Sequence, residues 1–546
     1  MPKIIFLNDI YDVDHNGTTQ VQDDVAYLNN IENATLDCTR RFHIGDFNKY
    51  TFWSRYGGPY VVASSINKSL PDWNVQVIDY FTKLNNFHEY LENFITDDTE
   101  YLGISVTFLQ NPLNPKYHLF NLFCDNHSDL VEWFEKIKKI KPDLKIIIGG
   151  WVTDAYYKIY CKNKTELPMP EAFKKYIDYA FIGYAEDTIL ELLKGNIDNL
   201  NIVEREGVKF VVETKTAGHG ARIIQNRMQK KYGIKHGEWL PLEVSKGCRF
   251  GCKFCFYDHS GTIIKKPEEL REELIYNYEN FGTQGYLLSD DTVNDSPAKI
   301  NMMHDVIKSL PFEVEWVAYT RPDMFYKYPE MYHKMLDMGC RGMFLGVETL
   351  THEAGKIAGK GLHPNKVKEI LNWLRKEGGD EVFILASFII GLVGETPETL
   401  METGKWLRDQ RCLDKVQYEL LYISDPNDTF SNDFSSNHNK YDIKIKWQPE
   451  YHWTHKTMNL TEAKDVALQW EQMLVDHPTT LFERHGMFNT NFWAYPRIRS
   501  LGYTHHQAVE YLTARNVPQH VYEKNADWIQ DYHAQLRMYE LLNVEN

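Results

Sequence analysis

Short apolar runs alternate with amphipathic stretches along the first two hundred residues. Runs at 4–7, 75–80, 101–108, 144–148 and 179–182 are mostly apolar, as strands covered on both faces are. Between them, apolar positions at helical spacing predict helices over 59–69, 87–95, 129–140 and 186–194. This alternation predicts βαβ units with right-handed crossovers and one parallel sheet. Ligands of such sheets lie beyond the carboxyl ends of the strands. The loops there hold Gly103-Ile104-Ser105 and Gly149-Gly150, where missing side chains permit close approach to the backbone. The polar and aromatic stretch 10–58 reads as an insertion.

A mixed, charged connector follows over 201–240, with a hairpin expected at 208–213. Beyond it the pattern resumes. Strands are predicted at 242–245, 286–289, 314–319, 343–347, 383–390 and 416–423. Helices are predicted at 267–278, 297–310, 329–338, 364–377 and 397–410, each opening on a proline, which suits the first helical turn. Six strand–helix repeats predict a partial or full barrel with its site at the carboxyl ends of its strands. From about residue 448 the chain reads helical and aromatic, with segments at 460–475, 504–513 and 521–542. Trp447, Tyr451, His452, Trp453 and His455 there read either as a cover over the barrel mouth or as a packing layer. The expected borders are therefore 1–200, 201–240, 241–425 and 426–546.

Composition narrows the function. A chain of 546 residues exceeds one core, and 43% apolar with 14% aromatic residues exclude wholesale disorder. Sixty basic against 76 acidic residues give −16, which argues against a broad nucleic-acid-binding face while leaving a local basic groove open. No stretch reaches the roughly 18 continuous apolar residues of a membrane helix. The best stretch, 382–393, is interrupted by Ser387 and Gly391, and residues 1–8 are too short for a secretory h-region. Eight cysteines are too few for a disulfide scaffold, so a reducing cytoplasm is expected, where clustered thiols bind metal or do chemistry.

Three of the eight stand together. Glu243-Val-Ser-Lys-Gly-Cys248-Arg-Phe-Gly-Cys252-Lys-Phe254-Cys255 places three thiols on one loop directly after a predicted strand. Three cysteines on a short loop can wrap an iron–sulfur cube, each thiolate on a different iron, leaving the fourth iron for an exogenous ligand. A closed zinc site is the alternative, but it takes four ligands, commonly as two pairs, and Cys38, Cys124, Cys161, Cys340 and Cys412 stand alone.

This trio, with Phe254 before the last cysteine, resembles the signature of the radical S-adenosylmethionine superfamily. The resemblance continues through Ser289-Asp290-Asp291, Tyr319-Thr320-Arg321-Pro322-Asp323, Gly346-Val347-Glu348 and Ile390-Gly391-Leu392-Val393-Gly394-Glu395-Thr396. Their order is similar to the branch with an N-terminal cobalamin-binding domain, which Gly58-Pro59, Val77-Ile78-Asp79, Gly103-Ile104-Ser105, Gly149-Gly150 and Ile182-Gly183 also fit. The resemblance spans about residues 1–425 and is far more specific in the radical portion. It implies an α/β protein: a Rossmann-like, cobalamin-binding-like sheet, a (β/α)6 partial TIM barrel and a mostly helical C-terminal segment.

The resemblance also implies chemistry. Cys248, Cys252 and Cys255 would hold a [4Fe–4S] cluster, with the amino and carboxylate groups of S-adenosylmethionine on the fourth iron. One electron would then cleave the sulfonium bond, giving methionine and a 5′-deoxyadenosyl radical that abstracts hydrogen. Phe254 is assigned beside adenine or over the cluster, and Glu348 to the ribose hydroxyls rather than a structural ion pair. Arg321 is assigned to the methionine carboxylate or to a salt bridge with Asp323 or Asp291. Ser289 and Asp290 stand where the family contacts the amino group, although the usual Gly-Gly-Glu is missing. Gly391 would admit adenine, and Glu395-Thr396-Pro397 reads as a turn and helix start.

For cobalamin, the usual D-x-H-x-x-G fails at Asp12-Val13-Asp14-His15-Asn16-Gly17, so His15 reads as a solvated loop residue. Ser105, Gly149 and Gly150 would take the nucleotide tail, or are strand-end turns in a domain that kept its fold without the cofactor. The leading expectation is a cobalamin-dependent radical enzyme methylating an unactivated carbon of a small molecule or peptide. Its electron donor would be a flavodoxin or ferredoxin. The alternatives are a cobalamin-independent radical rearrangement or cyclisation, and a non-catalytic iron–sulfur or zinc module.

Overall fold

A computed structural model of the chain describes residues 1–8, 57–79, 94–106, 128–162, 169–234, 236–423, 432–446, 451–474, 477–484, 495–496, 499, 502 and 504–513. Most of the expected helix at 87–95, nearly all of the insertion, and the whole of the expected helix at 521–542 lie outside the described residues.

The first sheet contains β1 (Lys3–Asn8), β2 (Asn74–Asp79), β3 (Thr99–Ser105), β4 (Lys145–Gly149), β5 (Tyr179–Ile182), β6 (Ile202–Arg205) and β7 (Val208–Val212). Their order is β2-β1-β3-β4-β5-β7-β6, parallel throughout except for the antiparallel β6–β7 pair. The apolar run of β1 has a simple cause. Ile4 and Phe6 point into the core shared with the barrel, while Ile5 and Leu7 point into a second core on the opposite face. The hairpin expected in the connector joins this sheet instead. Buried Val208, Phe210 and Val211 need cover, and β7 finds it by pairing with β5.

The second sheet begins with the short β8 (Leu240–Leu242), whose Pro241 suits an edge strand. β9 (Ser245–Lys246) then pairs antiparallel with β10 (Ile263–Ile264) around the thiol loop. β11 (Gly285–Leu288), β12 (Glu315–Thr320), β13 (Cys340–Glu348), β14 (Phe383–Ile390) and β15 (Lys415–Leu420) continue the barrel. All five are parallel, and the barrel stays open. Helices Pro267–Phe281, Pro297–Lys308, Pro364–Gly378 and Pro397–Asp409 start on their prolines as expected. Ser296 and Thr396 cap two of them, accepting from Lys299 N and Thr399 N.

The C-terminal part departs from the helical expectation. β16 (Lys444–Lys446), β17 (His452–His455) and β18 (Met458–Asn459) form an antiparallel meander, and β19 (Leu481–Arg484) adds a seventh parallel strand beside β15. The helix Leu460–Leu474 between them packs through Trp470, whose ring meets Phe388 and Tyr418 and whose Nε1 donates to Leu400 O at 3.1 Å. Among the described residues no helix is long and apolar enough to cross a membrane.

What approaches Gly103 closely is the ring of Phe6 on the neighbouring strand; a Cβ at 103 would sit 2.5 Å from it. Gly103→Ala is therefore expected to destabilise the protein by about 1–3 kcal/mol through overpacking, measured by urea unfolding. An unchanged midpoint would remove this account of the glycine.

Candidate functional site

The three thiols lie on an irregular loop at the carboxyl ends of the barrel strands. Such a loop must satisfy its backbone without regular structure. Cys248 N donates to Asp258 O at 2.8 Å, closing the loop on itself, and Cys255 N donates to Cys252 O at 3.1 Å. Lys253 N donates to Ala358 O at 3.0 Å, and Lys253 O accepts from Phe434 N at 3.1 Å. Asn432 Nδ2 donates to Phe254 O at 2.8 Å while Asn432 Oδ1 caps the short helix Asp433–Ser436. All three thiols are free, Cys248 buried and the other two half-buried. Among the described residues no three His, Cys, Asp or Glu side chains converge on a point that could hold a single metal ion. A cube tolerates that spread, because each thiolate meets its own iron.

Arg321 ends β12 beside this loop. Its Nε and Nη2 donate to the two oxygens of Asp323 at 3.0 Å each, its Nη1 donates to Cys252 Sγ at 3.1 Å, and its plane lies 4.0 Å over Phe250. Of the expected salt bridges, the structure forms the one to Asp323. Glu348 ends β13 with φ 66°, a left-handed conformation that costs a side-chain-bearing residue on the order of 1–3 kcal/mol. Its carboxylate folds back over Gly346, where a Cβ would sit 2.6 Å from Oε1. Lys360 ties the corner together, 3.4 Å from Glu348 Oε1, 2.8 Å from Gly346 O and 5.8 Å above the Phe254 ring. Burial nevertheless holds the Glu348 carboxyl above its ordinary pKa, against Lys360.

Ser289 and Asp290 part company. Ser289 follows β11, and its hydroxyl donates to Leu242 O at 3.4 Å. Asp290 turns inward: it accepts from Val244 N at 2.9 Å and from Ser245 Oγ, with Lys299 Nζ 3.8 Å away. The neighbouring Asp291 is half-buried, and desolvation together with the charge of Asp290 pushes it up to about 7.

Gly391, with φ 98°, follows β14, and the ring of Trp453 occupies the space over it; a Cβ there would be 2.6 Å from that ring. His455 stacks on Trp453 and its Nε2 lies 2.9 Å from Gly391 O. Of the five aromatics and histidines expected around the mouth, Trp453 and His455 thus pack onto this turn, and Trp447 lies outside the described residues. Glu395 holds the same turn from within, accepting from Gly391 N and Leu392 N at 2.9 Å each and from Thr349 Oγ1 at 2.6 Å. Among the described residues no cation accompanies these donors, and complete burial pushes Glu395 up to about 8.

In the first sheet, Ser105 and Gly149 pair in register at the carboxyl ends of β3 and β4, and Gly150 adopts φ 108°. The nearest side chain to a Cβ on Gly149 would be Phe181 at 3.8 Å, ordinary contact. The order β2-β1-β3-β4-β5 puts the switch point between β1 and β3, where such sheets bind ligands. This edge meets the thiol loop. Tyr184 after β5 donates to Asp258 Oδ2 at 3.3 Å, Ala217 N donates to the same oxygen at 2.8 Å, and Lys246 pairs with Glu186. Asp12, Asp14 and His15 lie outside the described residues. Sequence reasoning missed Lys360, Asn432 and Asp258, whose roles depend on contacts spanning from twelve to 178 residues.

Residues 242–407 match the family model of the radical SAM superfamily. That stretch, which holds the three thiols, is thus similar to a radical S-adenosylmethionine domain. The fold is similar to those of two solved proteins. TsrM, a radical S-adenosylmethionine methyltransferase from Kitasatospora setae solved with cobalamin and a [4Fe–4S] cluster, is 14% identical. It superposes with a TM-score of 0.58, covering 94% of this chain and 99% of TsrM. OxsB, a cobalamin-dependent S-adenosylmethionine radical enzyme, gives 0.56 at 14% identity over 99% and 72%. An uncharacterised methyltransferase of Pyrococcus horikoshii is 26% identical over 170 residues, 30% of this chain and 36% of its own length. The anaerobic magnesium-protoporphyrin IX monomethyl ester cyclase of Cereibacter sphaeroides is 25% identical over 338 residues, 54% and 53% of the two chains. The matches thus span about half or less of these curated relatives.

Glu395 yields a pH prediction. Its folded pKa lies above the ordinary 4.5, so the folded state binds the proton more tightly and loses stability as pH rises from 4.5 towards about 8. Glu395→Gln keeps the shape without the charge and is expected to flatten that part of the pH–stability curve. Parallel curves for variant and parent in thermal unfolding would contradict the assignment.

Proposed function

We propose that this chain is a cobalamin-dependent radical S-adenosylmethionine enzyme that methylates an unactivated carbon of a small molecule or peptide. One observation carries the reading: three free thiols on a clamped loop at the mouth of an open parallel barrel, tied through Asp258 and Tyr184 to the carboxyl edge of a β2-β1-β3-β4-β5 sheet. Cys248, Cys252 and Cys255 would hold a [4Fe–4S] cluster, which supplies the electron for reductive cleavage of S-adenosylmethionine. Phe254, Ser289, Arg321, Glu348 and Gly391 would contact that cosubstrate. Asp290 supports the strand end beneath it.

Ser105, Gly149 and the left-handed Gly150, at the carboxyl ends of β3 and β4, would take the nucleotide tail of cobalamin. The methyl-transfer reading is supported by the name of the Pyrococcus relative and by the fold shared with TsrM. A second reading is radical cyclisation without cobalamin; the name of the cyclase relative supports its cyclisation part. The electron donor is of the flavodoxin or ferredoxin class. The charge of −16 favours a discrete substrate over nucleic acid, and three unpaired thiols suit a reducing cytoplasm.

The test is anaerobic reconstitution with iron and sulfide, reduction, and addition of S-adenosylmethionine. The parent protein is expected to turn brown and release 5′-deoxyadenosine, and the Cys248→Ala/Cys252→Ala/Cys255→Ala variant to do neither. Product from the triple variant would overturn the reading. Protein made with cobalamin available is expected to retain a corrinoid spectrum; a clean absence would leave the cyclisation reading.

A further inference from the structure

Arg321 is fixed from every side. Its backbone N–H donates to Asn294 Oδ1 and its carbonyl accepts from Asn294 Nδ2, both at 2.9 Å, and Asn294 is fully buried. The two-point fork to Asp323 sets the plane of the guanidinium, and the Phe250 ring supports one face. With plane and tilt both set, Nη1 is left aimed at Cys252 Sγ, 3.1 Å away. Only 5% of Arg321 is exposed, so water competes little for that donor. The Asp323 oxygens bond the opposite edge of the guanidinium, and the sulfur faces an N–H with no acceptor in between.

A second polar neighbour makes no such contact. The Thr292 hydroxyl lies 3.8 Å from Cys248 Sγ, but it donates its single proton to Asp291 O at 2.7 Å. Cys252 and Cys248 are therefore not equivalent: Cys252 receives a charge-assisted N–H, and Cys248 gains none from Thr292.

We infer that Arg321 is a positioning residue acting through Cys252, whose Nη1–H orients that thiolate and makes the cluster easier to reduce. The inference rests on the proposed cluster site. Reduction adds one electron, and the added charge spreads onto the thiolate sulfurs. A donor on one of those sulfurs stabilises the more negative state more than the less negative one, and hydrogen bonds to sulfur are among the terms that set cluster potentials. In a dry site the effect is screened little.

The test uses the full chain with its cluster reconstituted and no S-adenosylmethionine present, titrated with titanium(III) citrate and followed by electron paramagnetic resonance. At equal iron and sulfide content, the midpoint potential is expected to shift to more negative values in Arg321→Lys and further in Arg321→Gln. Lysine keeps the charge but loses the fork that aims it. Potentials equal to the parent's in both variants would overturn the inference. So would weaker S-adenosylmethionine binding at an unchanged potential, which would make Arg321 a carboxylate ligand only. If Arg321→Gln loses iron while Arg321→Lys keeps it, the orienting part is supported and the lysine variant's potential decides the rest. Failure of the parent protein to assemble a cluster would instead overturn the proposed function, so the two failures are distinct.

Discussion

The thiol loop keeps its shape through hydrogen bonds to segments that are remote in sequence. Lys253 is held at its N–H by Ala358 and at its carbonyl by Phe434, and Asn432 holds the next carbonyl. A loop that must present thiols cannot close a helical or strand ladder of its own, so its polar backbone depends on imported partners. The end of the helix His352–Ala358 after β13 and the segment after β15 are accordingly parts of the same device as the cysteines. A glycine at 359, with φ 82°, lets the first of them pass beside Gly251 O, which would lie 3.3 Å from a Cβ there.

Charge around the mouth is arranged with equal economy. Asp290 is answered by Lys299 and Ser245, Glu348 by Lys360, and Arg321 by Asp323. Glu395 accepts from neutral donors, and burial raises it. Paired groups in a poorly hydrated mouth leave few mobile charges near the space where a reactive species would be handled. Positioning and exclusion of water are what a protein contributes when cofactors carry the difficult steps.

Much of this was legible in the sequence because it depends on local rules. Prolines 267, 297, 364 and 397 marked helix starts, mostly apolar runs marked buried parallel strands, and three cysteines in eight residues marked the loop. Six strands of the barrel were visible for the same reason. The seventh was not: Leu481-Phe482-Glu483-Arg484 is too short and too polar to signal a strand, and it is one only because β15 offers an edge. Glycines misled in a particular way. The close approach read from Gly103 and Gly391 is real, but Phe6 and Trp453 make it, and no local pattern says which ring will arrive. Lys360 and Asn432 were invisible because a lone lysine or asparagine carries no periodic signal.

One core runs without a break from Ile4, Tyr60 and Val77 of the first sheet through Leu240 and Val244 into the barrel strands. The two halves therefore share their interior, and neither is a detachable module. Excising the first would bare a broad apolar face on the second. Evolution working on such a chain is free to change or discard what the first sheet binds, but not the sheet itself. Its persistence is a debt to packing, whatever ligand it serves.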